Sequence, residues 1–284
     1  MKTPKRIQPL VDDGLVDEVL SQLMSGKEAT VYVVRSGTDI RCAKVYKEAA
    51  KRSFKQAVKY QEGRKQRNSR RARAIEKGSK YGRKQQEDTW QNAEVDALYL
   101  LAAAGVRVPE PYGCFDGVLL MELVTDDEGA VAPRLNDVSM TPEQAREDHV
   151  IMMNYVKLML IAGVVHGDLS EFNVLVDDYG PVIIDLPQAV DAAANNNAYE
   201  MFERDVNNMT QYYGQYVPAL LESQYAKEMW GLYEDGELLV DTVLTGHFED
   251  TAETADVDAV LLEIKAAFAE EQERLERIRE AEEG

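Results

Sequence analysis

Residues 163–190 read GVVHGDLSEFNVLVDDYGPVIIDLPQAV, and their pattern decides the fold. Two apolar runs, Asn173 to Val176 and Val182 to Ile184, flank Asp177-Asp178-Tyr179-Gly180, the composition of a hairpin turn. Polar groups fall at the rims of that hairpin, and three matter most: Asp168, Asn173 and Asp185. Asp168 follows a His-Gly pair in a loop, Asn173 lies just before the first strand, and the return strand brings Asp185 back beside Asn173. One cleft then holds a carboxylate for a hydroxyl substrate and an oxygen pair for magnesium, a hard cation that keeps waters and substrate phosphates as its other ligands. The competing reading is plain turn chemistry, because Asp and Asn side chains bond their own backbone.

Upstream, KEATVYVVRSGTDIRCAKVYK places Val31 and Val33, then Ile40, Cys42 and Val45, on two antiparallel strands. The turn Ser25-Gly26-Lys27-Glu28-Ala29 enters the first strand and suits the covering of nucleotide phosphates by backbone N–H groups; an ordinary hairpin entry suits it equally. Lys44 sits within the second strand, where an ammonium points into a cleft only if a phosphate and a helix carboxylate receive it. A surface lysine on an edge strand is the alternative. Helical spacing of Trp90, Ala93, Ala97, Leu98 and Leu101, stopped by Gly105, offers Glu94 as that carboxylate, with Asp96 as a second candidate. Residues 14–26, GLVDEVLSQLMSG, carry an amphipathic helical pattern.

Further along, Val118 to Val124 reads as a buried strand after a turn at Asp116-Gly117, and Glu122 falls where a hinge would present its backbone to an adenine edge. Residues 125–136 suit a linker. Thr141-Pro142-Glu143 then opens a long helix whose apolar face includes Ile151, Met152, Tyr155, Val156, Met159 and Leu160. A second helical pattern through Ala198, Met201, Phe202, Val206 and Met209 contains Asp205, readable as a buried structural carboxylate or as half of a solvated ion pair.

The chain has 284 residues, enough for one large or two small domains, and its 45% apolar content is that of a globular protein. A formal net charge of −19 argues against non-specific nucleic-acid binding, but the average hides an asymmetry. From Lys51 to Lys84 fourteen basic residues face two acidic ones, a local charge of +12. That segment suits RNA or another acidic partner, with Tyr60 and Tyr81 available for stacking, or else the chain's own acidic C-terminal run. No apolar stretch reaches signal-peptide or membrane-spanning length, so a cytoplasmic protein without membrane attachment is expected. Cys42 and Cys114 stand in apolar or strand-like contexts that favour reduced thiols over a disulfide.

Taken together, these residues resemble the RIO family of atypical serine/threonine protein kinases, most closely its RIO1-type branch. The resemblance is carried by Gly26-Lys27-Glu28-Ala29, Ala43-Lys44-Val45-Tyr46, Trp90 with Ala93-Glu94, Val108-Pro109-Glu110-Pro111, Leu120-Met121-Glu122, Ala132-Pro133-Arg134-Leu135, His166 to Leu175, Ile183-Ile184-Asp185 with Gln188-Ala189-Val190, and Arg204-Asp205-Val206. HGDLSEFN has the His-x-Asp-x-x-x-x-Asn form of the kinase catalytic loop. The resemblance implies an α+β, bilobal protein-kinase-like fold, trimmed of the usual activation segment and peptide-binding helices. Residues 1–124 would form an N-terminal lobe with the basic insertion, 125–235 a C-terminal catalytic lobe, and 236–284 an acidic, largely helical tail.

It also implies ATP with Mg2+, or Mn2+, as cofactors. Asp168 would be the catalytic aspartate, Lys44 the phosphate-gripping lysine, Glu94 its helix partner, and Asn173 and Asp185 the metal ligands. Ser25 and Lys27 would touch phosphate, and Glu122 would lie at the adenine hinge. The expected activity is autophosphorylation and phosphoryl transfer to a hydroxyl. One alternative is an ATPase-type ribosome or RNA-protein assembly factor cycling through an aspartyl-phosphate on Asp185. Another is a nucleic-acid-binding scaffold with residual nucleotide binding. Where kinases usually carry Asp-Phe-Gly, this chain has Asp185-Leu186-Pro187, which argues against an ordinary activation-loop switch.

Overall fold

The computed structural model describes residues 1–26, 28–47 and 94–248. Lys27, the basic segment 51–84 and the acidic run from 249 onward lie outside the described residues. Residues 1–246 form one compact unit and 247–284 a second, almost all of which is likewise outside the description.

A short helix, α1 (Gln8–Asp12), precedes a five-stranded antiparallel sheet of β1 (Glu18–Ser25), β2 (Ala29–Ser36), β3 (Asp39–Tyr46), β4 (Pro111–Phe115) and β5 (Val118–Glu122). The order is β1-β2-β3-β5-β4, with helix α2 (94–103) between β3 and β4. Period-two alternation sorts the side chains of β3 between two cores. Ala43 and Val45 meet Ile7, Leu10, Val118 and Leu120 on one face. Tyr46 on the other joins Leu98, Leu101 and Leu119, and Lys44, two residues away, shares that face and looks toward α2. The β4–β5 turn puts both Asp116 and Gly117 at positive φ (47° and 78°), as a two-residue hairpin turn requires.

Residues 14–26 are not helical as their spacing suggested: Glu18–Ser25 is the edge strand β1. Its pairing with β2 slips between Val19 and Ser21 and again between Gln22 and Met24. Two bulges three residues apart replace the period of two with one near three, which imitates a helix in sequence. Pairing to β2 overrides local propensity here, and Leu20, Leu23 and Met24 are left exposed.

The remainder is mainly helical. Helix α3 (Pro142–Ile161) starts with a full capping box, the Thr141 hydroxyl accepting from the Gln144 amide and Gln144 Oε1 from the Thr141 amide, which contributes about 1 kcal/mol. Beyond it come β6 (Val164–Val165), β7 (Val174–Asp177), β8 (Gly180–Ile183), β9 (Val190–Asp191), α4 (Ala198–Gly214) and α5 (Tyr225–Glu234). β7 and β8 form the hairpin in the register Val174↔Ile183 to Asp177↔Gly180. Arg107, at the exit of α2, grips both carboxylate oxygens of Asp177 on that hairpin.

After α5 the chain folds back over the helices. Buried Lys157 donates to the carbonyls of Val240 and Thr242, both at 2.8 Å. Buried Glu228 accepts from the Thr245 amide and hydroxyl and from the Gly246 amide. Among the described residues no helix is long and apolar enough to cross a membrane.

Candidate active site

Lys44 reaches two carboxylates. Its Nζ lies 2.6 Å from Glu94 Oε1 and 2.6 Å from Asp185 Oδ1. Glu94 is 2% exposed, and its other oxygen accepts from the Tyr46 hydroxyl, so one carboxylate fixes α2 against two side chains of β3. Asp96, the second candidate from the sequence, is exposed. Burial alone would lower the Lys44 pKa, but Glu94 and Asp185, by charge and hydrogen bonding, carry it above the ordinary lysine value. Losing one partner would leave this buried ammonium under-compensated.

Asp185 stands at the end of the hairpin in the left-handed region, φ 67°, a conformation that costs a non-glycine residue on the order of 1 kcal/mol. Its neighbours hold it there. The Ile184 amide donates to the Asn173 carbonyl at 3.0 Å, and His166 Nε2 bonds the Ile184 carbonyl at 3.0 Å. Burial pushes the Asp185 carboxyl upward, yet Lys44 together with His166 and Arg134 holds it below the usual aspartate range. Its side chain remains 46% exposed toward the cleft.

The catalytic-loop segment hangs from α4. Asp205, 2% exposed, accepts the amides of Gly167 at 2.7 Å and Leu169 at 2.9 Å. Arg204 donates to the Gly167 carbonyl, and Asn208 Nδ2 to the Leu169 carbonyl at 2.9 Å. Backbone groups on both sides of Asp168 are thus bonded, and its side chain is left open to the cleft. Burial pushes the Asp205 carboxyl up to about 6, against the pull of His166, the two amides and Arg204. The Asp168 carboxyl is also raised, by burial first and by the charge of Asp185, while His166, Arg204 and a hydrogen bond from Gln188 oppose the rise. Gln188 Nε2 sits 3.1 Å from Asp168 Oδ2.

Asn173 Nδ2 donates to the Asp168 carbonyl at 2.8 Å, which leaves its amide oxygen available. Asp185 has its second carboxylate oxygen available in the same way. An amide oxygen and a carboxylate oxygen are hard donors, too few to enclose a cation and suited to one that keeps water and phosphate ligands.

Ser25 ends β1, where its hydroxyl accepts from Lys47 at 3.1 Å and lies 3.3 Å from that of Thr30. Lys47 also donates to the Gly26 carbonyl, so it stiffens the entry to the loop. Lys27 is outside the described residues. Glu122 turns its carboxylate to the Glu110 amide and gives its own amide to the Glu110 carbonyl, so any adenine contact there falls to other backbone groups of the segment. Sequence reasoning gave no site role to Tyr46, Lys47 or Gln188. Tyr46 lies in step with Lys44 on one strand face, a signal that was readable; Gln188, with Ala189 and Val190, belongs to the residues that carry the family resemblance, but its reach to Asp168 is a tertiary fact.

The family model for the RIO domain matches residues 30–226, a span that contains Lys44, Glu94, Asp168, Asn173 and Asp185. This chain belongs to the RIO family. Similar proteins include the RIO-type serine/threonine-protein kinase Rio1 of Haloferax volcanii, 36% identical over 211 residues that cover 73% of this chain and 67% of that one. The human serine/threonine-protein kinase RIO1 is 30% identical over 210 residues, covering 73% of this RIO protein but only 35% of its own length. In fold, this RIO protein is similar to the Rio2 kinase of Chaetomium thermophilum, seen in a complex with ADP/Mg2+ and phosphoaspartate. The TM-score is 0.56 at 21% identity, with 95% of this chain and 75% of that chain covered. The bilobal kinase-like architecture and the RIO1-type affinity follow, and with them membership among atypical serine/threonine protein kinases.

Proposed function

We propose that this RIO protein transfers the terminal phosphoryl group of ATP to a serine or threonine hydroxyl, its own included, with Mg2+ as the metal. The observation that carries the reading is the convergence of Lys44, Glu94 and Asp185 at 2.6 Å contacts, beside an Asp168 whose flanking backbone is held by Asp205. Phosphoryl transfer needs positioned charge more than covalent chemistry, and these residues supply it. Lys44, held by Glu94, takes up phosphate oxygens as its hold on Asp185 is exchanged. Asn173 and Asp185 would hold the metal, which when bound neutralises charge on the phosphates. Asp168 orients the acceptor hydroxyl and receives its proton.

The test is incubation of the purified chain with γ-labelled ATP and Mg2+, comparing wild type with Asp168→Asn and Asp185→Asn and recording the acid stability of the label. Acid-stable label on serine or threonine, lost in both variants, is the expected result. Acid-labile label retained in Asp168→Asn and lost in Asp185→Asn would overturn hydroxyl transfer.

A further inference from the structure

We infer that the Arg134 guanidinium is a contact for the nucleotide's polyphosphate, delivered from the helical side of the cleft. This rests on the phosphoryl-transfer reading and adds to it a cation outside the residues named so far as ligands.

Arg134 is held firmly by its backbone. It pairs in a β-bridge with Leu175, the preceding Pro133 carbonyl accepts the Val176 amide at 2.9 Å, and the following Leu135 is fully buried. The anchor is the same hairpin that carries Asp185. From there the side chain spans to β1, where one guanidinium nitrogen lies 2.9 Å from Met24 Sδ, one residue before Ser25. Arg134 therefore links the hairpin that leads to Asp185 with the entry of the β1–β2 turn, the two elements that a polyphosphate would join.

A thioether is a weak acceptor and satisfies little of a guanidinium's five donors. Among the described residues no carboxylate forms an ion pair with Arg134. A partly buried arginine that has no ion-pair partner among the described residues, beside a site meant for an anion of several charges, is suited to two-pronged phosphate binding. If it served only to tie β1 to the hairpin, an apolar side chain packed on Met24 would do as well.

That contrast sets the experiment. The full chain is prepared as wild type, Arg134→Met, Arg134→Lys and Met24→Leu, and calorimetry with Mg2+ present measures binding of ATP, ADP and adenosine. Arg134→Met is expected to weaken ATP and ADP by about tenfold and adenosine by less than about twofold, with Arg134→Lys in between. Met24→Leu, which removes the sulfur and keeps the cation, should match wild type. Equal loss for all three ligands, no loss for ATP, or a Met24→Leu variant that reproduces Arg134→Met would overturn the assignment. A wild-type chain that is folded and binds no ATP would overturn the phosphoryl-transfer reading together with it. Melting temperatures of the variants within a few degrees of wild type confirm that binding, not folding, is read.

Discussion

Gln188→Leu is the substitution that most directly probes how Asp168 is tuned. In the native protein Gln188 Nε2 donates to Asp168 Oδ2 at 3.1 Å, a bond that only the ionised carboxylate uses fully. A hydrogen bond to a charged group contributes about 1.5–3 kcal/mol when sheltered. Because Asp168 opens onto the cleft, water recovers part of that, and about 1 kcal/mol remains. About 1 kcal/mol is roughly fivefold in the protonation equilibrium, so the variant's Asp168 should titrate at higher pH. The sign is fixed. Burial has already raised this carboxyl, so activity that needs it deprotonated is lost as pH falls through its pKa, and losing Gln188 moves that loss to higher pH. The assay is kcat/KM for autophosphorylation across pH 4.5 to 8, wild type against variant. An acid limb displaced to higher pH, with kcat/KM on that limb lowered about fivefold and the plateau within about threefold, agrees with the reasoning. An unmoved limb, or one displaced downward, refutes it.

Asp168→Asn should lower kcat by about 10²–10⁴ while ATP affinity, measured by calorimetry, changes less than about threefold, because its contact matters in the transition state. Glu94→Gln leaves Lys44 with one carboxylate; urea unfolding should show a loss of roughly 3 kcal/mol, and turnover should fall with it. Asp205→Ala strands the amides of Gly167 and Leu169, so kcat should collapse, whereas Asp205→Asn, which keeps one acceptor, should retain measurably more activity. His149, fully buried between Tyr213 and Tyr225 with both ring nitrogens unbonded among the described residues, is pushed down to about 4 by that burial. The unfolded chain then binds the extra proton between pH 6.5 and 4, so stability falls as pH drops through that window, by on the order of 3 kcal/mol. Melting scans of His149→Phe should lack that slope.

Much of the catalytic half was readable from the residues because its signals are local. Asp177-Asp178-Tyr179-Gly180 between alternating apolar runs makes a hairpin wherever it occurs, and the turn at its tip pairs Asp177 with Gly180. Thr141-Pro142-Glu143 opens a helix in the same local way, and Gln144 completes its capping box. β1 failed for a physical reason: its bulges exist only against β2, and no periodicity in residues 14–26 encodes the partner that creates them. Glu94 was nameable from helical spacing, but the choice over Asp96 depends on which face of α2 meets Lys44, a tertiary fact. Gln188 and the reach of Arg134 to Met24 depend on loops meeting across long separations, where side-chain type alone carries no direction.

The fold-back segment held by Lys157 and Glu228 bears on where this protein can be cut. A shortened chain that stopped at the close of α5 would strip an interior ammonium of both its carbonyl acceptors and an interior carboxylate of its three donors. Two naked charges inside a helical core would draw in water and loosen α3 and α5 against each other. The smallest autonomous version of this protein therefore runs through Gly246, and an expression truncation chosen from helix ends alone would fail for want of the segment 235–246, which does no chemistry.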